Sequence, residues 1–195
     1  NKIVPDKYPH YLTSEWYGVT RIRRIYDGID AQPIHDLDSL QALQVDTVND
    51  TALRLLPVLL EAEPRTEAGH AALALLADWD ADMAVDRAEP LIYSAWMRQL
   101  SRDIYGDELD DLFSSWHGDR RIFMMDVLTG DLGHWCDNVA VARTVTCRDL
   151  TGPALDQAMA SAIEAYGQDF TSWRWGDVHY ARHAHRPFSD FPVLS

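Results

Sequence analysis

The stretch "SWRWGDVHYARHAHRPFS", Ser172 to Ser189, gathers two tryptophans, three histidines and three arginines into eighteen residues. His179 and His183 are four apart, so on a helix both imidazoles share one face, and His185 follows two residues later. That is zinc-like spacing. Catalytic zinc asks for three protein ligands plus an open water position, each His oriented by a further partner, and Asp177 and Asp190 are candidates for that role. Against it stand Arg174, Arg182 and Arg186, which would crowd a dication, and Pro187, which breaks a helix. The competing reading is that these rings pack on the tryptophans and pair with acidic neighbours, which requires no metal.

Two acidic runs, "DWDADMAVD" at 78–86 and "DELDD" at 107–111, offer paired carboxylates for calcium or for acid–base work. Neither has the glycine-centred order of an EF-hand, so solvated helix ends and caps are the favoured reading. The chain has no G-x-S-x-G elbow, Walker loop, G-x-G-x-x-G or H-E-x-x-H.

Composition sets bounds on what these groups serve. At 195 residues, 47% apolar and 25% charged, the chain can bury a substantial core. A formal charge of −14 opposes phosphate and anionic lipid, which argues against nucleic-acid binding despite the Trp-Arg content. No apolar run is long enough to span a membrane, and "NKIVPDKYPH" lacks the layout of a signal peptide. The missing initiating Met points to a processed or trimmed piece. Cys136 and Cys147 form no metal-binding cluster; a disulfide in an oxidising compartment is favoured slightly over two buried thiols.

The elements that must position these residues read as mainly α. Residues 1–35 form an extended, turn-rich lead-in with one short basic helix at "VTRIRRIYDGI", and 36–195 form a helical region with no internal boundary. Asp38, with Gln41 three residues on, has capping-box spacing ahead of a helix carrying Leu40, Leu43, Leu53, Leu56 and Leu60, which Pro57 bends or ends. Thr66 caps a second helix over "HAALALLADW". Ile92, Trp96, Leu100 and Ile104 mark a third, and Leu155, Ala158, Met159, Ala162, Ile163 and Tyr166 a fourth that Gly167 ends. "TVTC" at 144–147 is the best strand candidate.

Taken in order, several segments resemble the penicillin acylase family. "WRWGDVHYARHAHRPF" is similar to its W-x-W-G-x-x-H segment followed by H-x-P, with Trp173, Trp175, Gly176, His179, His185 and Pro187 in the matching places and His183 outside them. "NKIVPDKYP" resembles the tract running from the family's Asn-Asn pair to a Tyr-Pro, and "TRIRRI" its Arg-x-x-Arg-Ile segment. "WCDN", "TCRDL" and "LDQAMASAIEAYGQD" follow in the expected order, so the resemblance spans essentially the whole chain.

That resemblance implies an N-terminal-nucleophile hydrolase: a precursor that cuts itself to expose a Ser, or in some relatives a Thr or Cys, whose own α-amine serves as base. An Asn amide and a backbone N–H then hold the oxyanion, where losing a donor costs on the order of 100- to 1,000-fold in rate. The nucleophile lies outside this chain, which begins at Asn1. Asn1 aligns with the second Asn of the pair, placing the oxyanion Asn one residue earlier and leaving Asn1 the weaker candidate. Arg21 aligns with the functional arginine, with Arg23 and Arg24 leaving the register open by a few residues and a surface or ion-paired arginine as the alternative.

The same resemblance makes this chain the helical portion of a large subunit whose αββα catalytic core comes mostly from other segments, with short extended pieces at both ends. It implies a periplasmic amide hydrolase with an N-acylated small molecule as substrate and the remaining segments of the same precursor, the small subunit and the start of the large one, as partners. No cofactor is implied. Structural calcium belongs to the full-length family, with ligands mainly outside this chain and Glu15 too loosely aligned to carry over. The rival readings are a free-standing helical binding module and, third, a zinc enzyme using His179, His183 and His185.

Overall fold

The computed structural model describes residues 4–5, 7–13, 18–115, 120–139 and 144–181. Eight α-helices occur among them: α1 Thr20–Asp30, α2 Leu37–Gln44, α3 Asp50–Leu59, α4 Glu67–Ala77, α5 Glu89–Leu109, α6 Arg121–Thr129, α7 Cys147–Tyr166 and α8 Trp175–Val178. The described residues contain no strand; one isolated bridge joins Val48 to Asp82. The mainly helical expectation therefore holds.

The two long helices form the centre. The stripe Ile92, Trp96, Leu100 and Ile104 on α5 is fully buried, and so is Leu155 on α7, with Ala158, Met159 and Ala162 close behind. Four-residue recurrence puts each stripe on one face, and burying that face, more than propensity, holds such helices in place. The indole of Trp96 crosses the seam to the Thr151 carbonyl at 2.9 Å. Gly152 is where α7 comes closest to the 62–64 segment, for a Cβ there would collide with the Glu63 carbonyl. α3, α4 and α6 close the core with Leu55, Leu59, Leu76, Met124 and Val127.

Helix ends are set by short-range chemistry. Thr66 caps α4 by accepting from Gly69 N–H at 2.9 Å, as expected. Gly167, at φ 95°, ends α7 in the region open to glycine. Pro57 lies inside α3, which stops two residues later at Leu59; the ring removes the bond its N–H would have made.

Two expectations are corrected. The leucine-rich segment after residue 36 is two helices, α2 and α3, and the cap of the first is Asp36 rather than Asp38. Asp36 Oδ1 accepts from Ser39 N–H at 2.8 Å while Ser39 Oγ takes the Asp36 N–H at 3.0 Å, so the box closes on Ser39, not Gln41. "TVTC" is not a strand: Thr146 caps α7 in a box with Asp149, and Cys147 is the first helical residue.

Cys136 and Cys147 are joined as a disulfide with Cα atoms 4.9 Å apart. It ties the start of α7 to the turn after α6.

Candidate functional site

α1 carries the arginines that sequence reasoning selected, and it separates them. Arg21 is exposed, and its side chain makes no ion pair or hydrogen bond with another described residue. Arg24 is held bidentately by Asp46, at 2.5 and 3.1 Å, and Arg23 reaches Asp50 at 3.3 Å. Asp50 is shared with Arg54, one turn on along α3, at 3.0 Å. The Arg24 hydrogen bond holds the Asp46 carboxyl below its usual range, against the opposing effect of burial. Asp46 itself lies in the link between α2 and α3 and also accepts from Val48 N–H at 3.2 Å. These two pairs orient α1 on the helical body and leave Arg21 as the cation of the three turned to solvent. Asn1 and Glu15 lie outside the described residues.

The Trp-His segment is wired to the fold. Trp173 is buried beyond the end of α7, where its indole N–H donates to the Gly167 carbonyl at 3.2 Å and its ring meets Tyr166 and Phe170 edge-on. Trp175 N–H donates to Arg87 O at 2.9 Å and Gly176 N–H to Val85 O at 2.8 Å, a backbone clasp on the loop before α5. A Cβ on Gly176 would sit 3.1 Å from Val85, so the small residue permits that approach. His179 stacks on Trp175 with centroids 4.5 Å apart and planes 13° off parallel. His183 and His185, the other members of the proposed zinc set, lie outside the described residues. Among those described, no three His, Cys, Asp or Glu side chains gather as metal ligands.

The acidic runs are occupied locally. In 78–86, Asp80 accepts from Asp82 N–H at 3.2 Å and from Arg87 at 2.8 Å, which lowers its pKa, and Asp82 bonds Thr47. The loop is held tightly enough to keep Ala81, fully buried, at φ 61°. In 107–111, Asp107 accepts from Val139 N–H at 2.8 Å. Glu108 is pushed up to about 7, first by partial loss of solvent and then by the neighbouring Asp107 carboxyl.

A shallow groove of about 380 Å³ runs between α4 and the end of α7, lined by Glu67, Ala68, Ala71, Ile163, Gln168 and Phe170. It presents one carboxylate and one amide among apolar groups.

One polar junction had no sequence signal. Asp156 on α7 accepts from Arg65 N–H at 2.7 Å, Thr66 N–H at 3.1 Å and Thr66 Oγ1 at 2.5 Å, pinning the start of α4 from 90 residues away. Only the "LDQ" of α7 placed it on a helix; its partners are long-range.

The chain is 26% identical over 197 residues to the penicillin acylase 2 proenzyme of Pseudomonas sp. (strain SE83), covering 99% of this chain and 25% of that protein. It is 26% identical over 206 residues to the acyl-homoserine lactone acylase QuiP of Pseudomonas putida, covering 92% and 25%. With the QuiP of Pseudomonas fluorescens it shares 24% over 204 residues, covering 91% and 25%. The chain thus spans about a quarter of the length of the curated relatives it matches. The penicillin amidase family model matches residues 1–194, end to end across the helical body, the disulfide and the Trp-His clasp, and the chain belongs to the penicillin amidase family.

Proposed function

We propose that these residues are the helical part of an acylase-type amide hydrolase. It cleaves the N-acyl bond of a small molecule, of the penicillin, cephalosporin or acyl-homoserine lactone kind, through an N-terminal Ser contributed by polypeptide outside this chain. The observation that carries the reading is the family match over residues 1–194. In this scheme the precursor cuts itself to free the Ser, whose α-amine removes its hydroxyl proton, and an Asn amide stabilises the oxyanion. Asn1, or the residue before it, supplies that amide, and Arg21 orients it.

The exposure of Arg21 supports its assignment over its neighbours, because Arg23 and Arg24 are committed to Asp50 and Asp46. The disulfide favours an oxidising compartment, in keeping with a periplasmic enzyme.

The test is hydrolysis of a chromogenic acyl-anilide by the family-length polypeptide and by the 195-residue chain, each with and without chelator. Activity in the longer protein alone, indifferent to chelator, is the expected outcome. Activity in the 195-residue chain would overturn the reading, and its loss to chelator would return attention to His179, His183 and His185.

A further inference from the structure

The link between α2 and α3 is laced to the loop that precedes α5. Val48 bridges Asp82, Met83 N–H donates to the Thr47 carbonyl at 3.2 Å, and Asn49 N–H donates to the Ala81 carbonyl at 2.9 Å. Thr47 Oγ1 bonds the Asp82 carboxylate, and Asn49 caps α3 by accepting from Thr51 N–H and Ala52 N–H at 3.1 and 3.2 Å. The acidic run at 78–86 thus acts as an abutment for this link.

Asp46 stands on that abutment. Its Oδ1 accepts from Val48 N–H at 3.2 Å, and its two oxygens take Arg24 Nε at 2.5 Å and Nη2 at 3.1 Å. A two-pronged bond of this kind fixes direction as well as distance. The neighbouring pair is looser, because Asp50 meets Arg23 through one contact at 3.3 Å and is shared with Arg54 of its own helix. No described residue of α1 is buried, so no core contact sets how the helix is turned. The grip on its far end, Leu43 beside Gly28 and His35 on the Ile29 carbonyl, leads to α2, which buries nothing either.

We propose that Asp46 is a positioning residue for the acylase reaction: through its fork to Arg24 it fixes the rotation of α1, and with it the place of Arg21. This role rests on the reading that Arg21 orients the oxyanion amide. Three residues before Arg24, Arg21 lies about 60° round the helix and about 4.5 Å nearer its start. With side chains reaching about 5–6 Å from the axis, a turn of about 10° moves a tip by about 1 Å. A displacement of that size can cost about 100-fold in rate. Asp46 touches neither substrate nor nucleophile in this scheme; it acts through Arg24 and the helix they share with Arg21.

Acyl-anilide kinetics on the processed family-length protein test it, in the parent, Asp46→Asn, Arg24→Lys, Arg21→Ala, and Arg21→Ala combined with each of the other two. Asp156→Asn, which loosens α4 rather than α1, is the control for lost stability. Oxyanion contacts act in the transition state, so kcat should fall with KM unchanged. The expected losses are about 100-fold for Arg21→Ala and about tenfold for Asp46→Asn, with the double variant no slower than Arg21→Ala alone and Asp156→Asn close to the parent. Arg24→Lys keeps the charge and loses the fork. It should behave as Asp46→Asn does, and it decides the matter where Asp46→Asn yields no processed enzyme. An Asp46→Asn kcat equal to that of Asp156→Asn, a rise in KM alone, or a loss that multiplies with that of Arg21→Ala overturns the positioning role and leaves the acylase reading standing. Arg21→Ala at the parental rate, or a parent that hydrolyses no anilide, overturns that reading and the role with it.

Discussion

Trp96 Nε1–H and the Thr151 carbonyl meet at 2.9 Å inside the core, joining α5 to α7 at a point where the indole has no access to water. The contact combines the largest fully buried side chain among the described residues with a satisfied polar group. Trp96→Phe keeps most of the packing and removes the donor, at about 1–2 kcal/mol. Trp96→Ala adds a cavity and costs about 3–5 kcal/mol. Urea unfolding of the two variants checks both; a Trp96→Phe variant as stable as the parent would mean the hydrogen bond contributes nothing.

Two glycines on the central helices should respond in opposite directions to alanine. At Gly152 the new methyl would strike the Glu63 backbone carbonyl, which cannot swing away, so Gly152→Ala loses about 1–3 kcal/mol. At Gly106, inside α5, the nearest atom to a Cβ is the flexible Arg102 Cγ at 3.9 Å. Gly106→Ala therefore gains about 0.5–1 kcal/mol from helix propensity. Melting temperatures of the pair, measured together, give the signs.

Acid should act through Asp156. Burial works to raise its pKa, but the hydrogen bonds from Thr66 Oγ1, Arg65 N–H and Thr66 N–H outweigh it and leave it below the ordinary 3.8. A carboxyl depressed by folding contributes stability that is complete above its unfolded pKa and is lost as pH falls through the lower folded value. Asp156→Asn should destabilise the protein at neutral pH and flatten the decline below about pH 4.

Glu108 has the opposite sign. Raised from 4.5 to about 7, it keeps its proton in the folded state after the unfolded chain has released it. Stability therefore falls as pH rises across that interval. Because the side chain is exposed, the effect is damped by solvent. Glu108→Gln should remove this slope, so the variant gains on the parent between pH 5 and 8, as denaturant midpoints would reveal.

The disulfide closes a loop of eleven residues' separation. Restricting a loop of that size in the unfolded chain is worth about 3 kcal/mol. Cys136→Ser/Cys147→Ser should lose about that much, and thiol titration of the denatured parent should find no free thiol until reductant is added.

The long helices were legible because their apolar stripes repeat over many turns: Ile92 to Ile104 on α5 and Leu155 to Ile163 on α7. Thr66 and Gly167 were readable because cap chemistry is local. Asp36 and Asp38 were ambiguous for the same reason, as both precede the leucines and only Ser39 decides between them. "TVTC" alternates like a strand, but its threonine and Asp149 close a box that starts a helix. At the candidate site, the sequence picked out the arginine-bearing helix but not its orientation. That depends on Asp46 and Asp50, which lie 22 and 27 residues from their arginines and give no signal at short range.

The meeting of Trp96 with Thr151 also has a consequence during synthesis. The two residues are 55 apart, so an emerging chain presents α5 well before its partner exists. At roughly 5–20 residues per second, that interval lasts on the order of 3 to 11 seconds. For that time the α5 stripe of Ile92, Trp96, Leu100 and Ile104 lacks the α7 surface that later covers it. A nascent chain arrested between these two helices would present a greasy ledge to chaperones, and one arrested after Tyr166 has emerged from the ribosome would not.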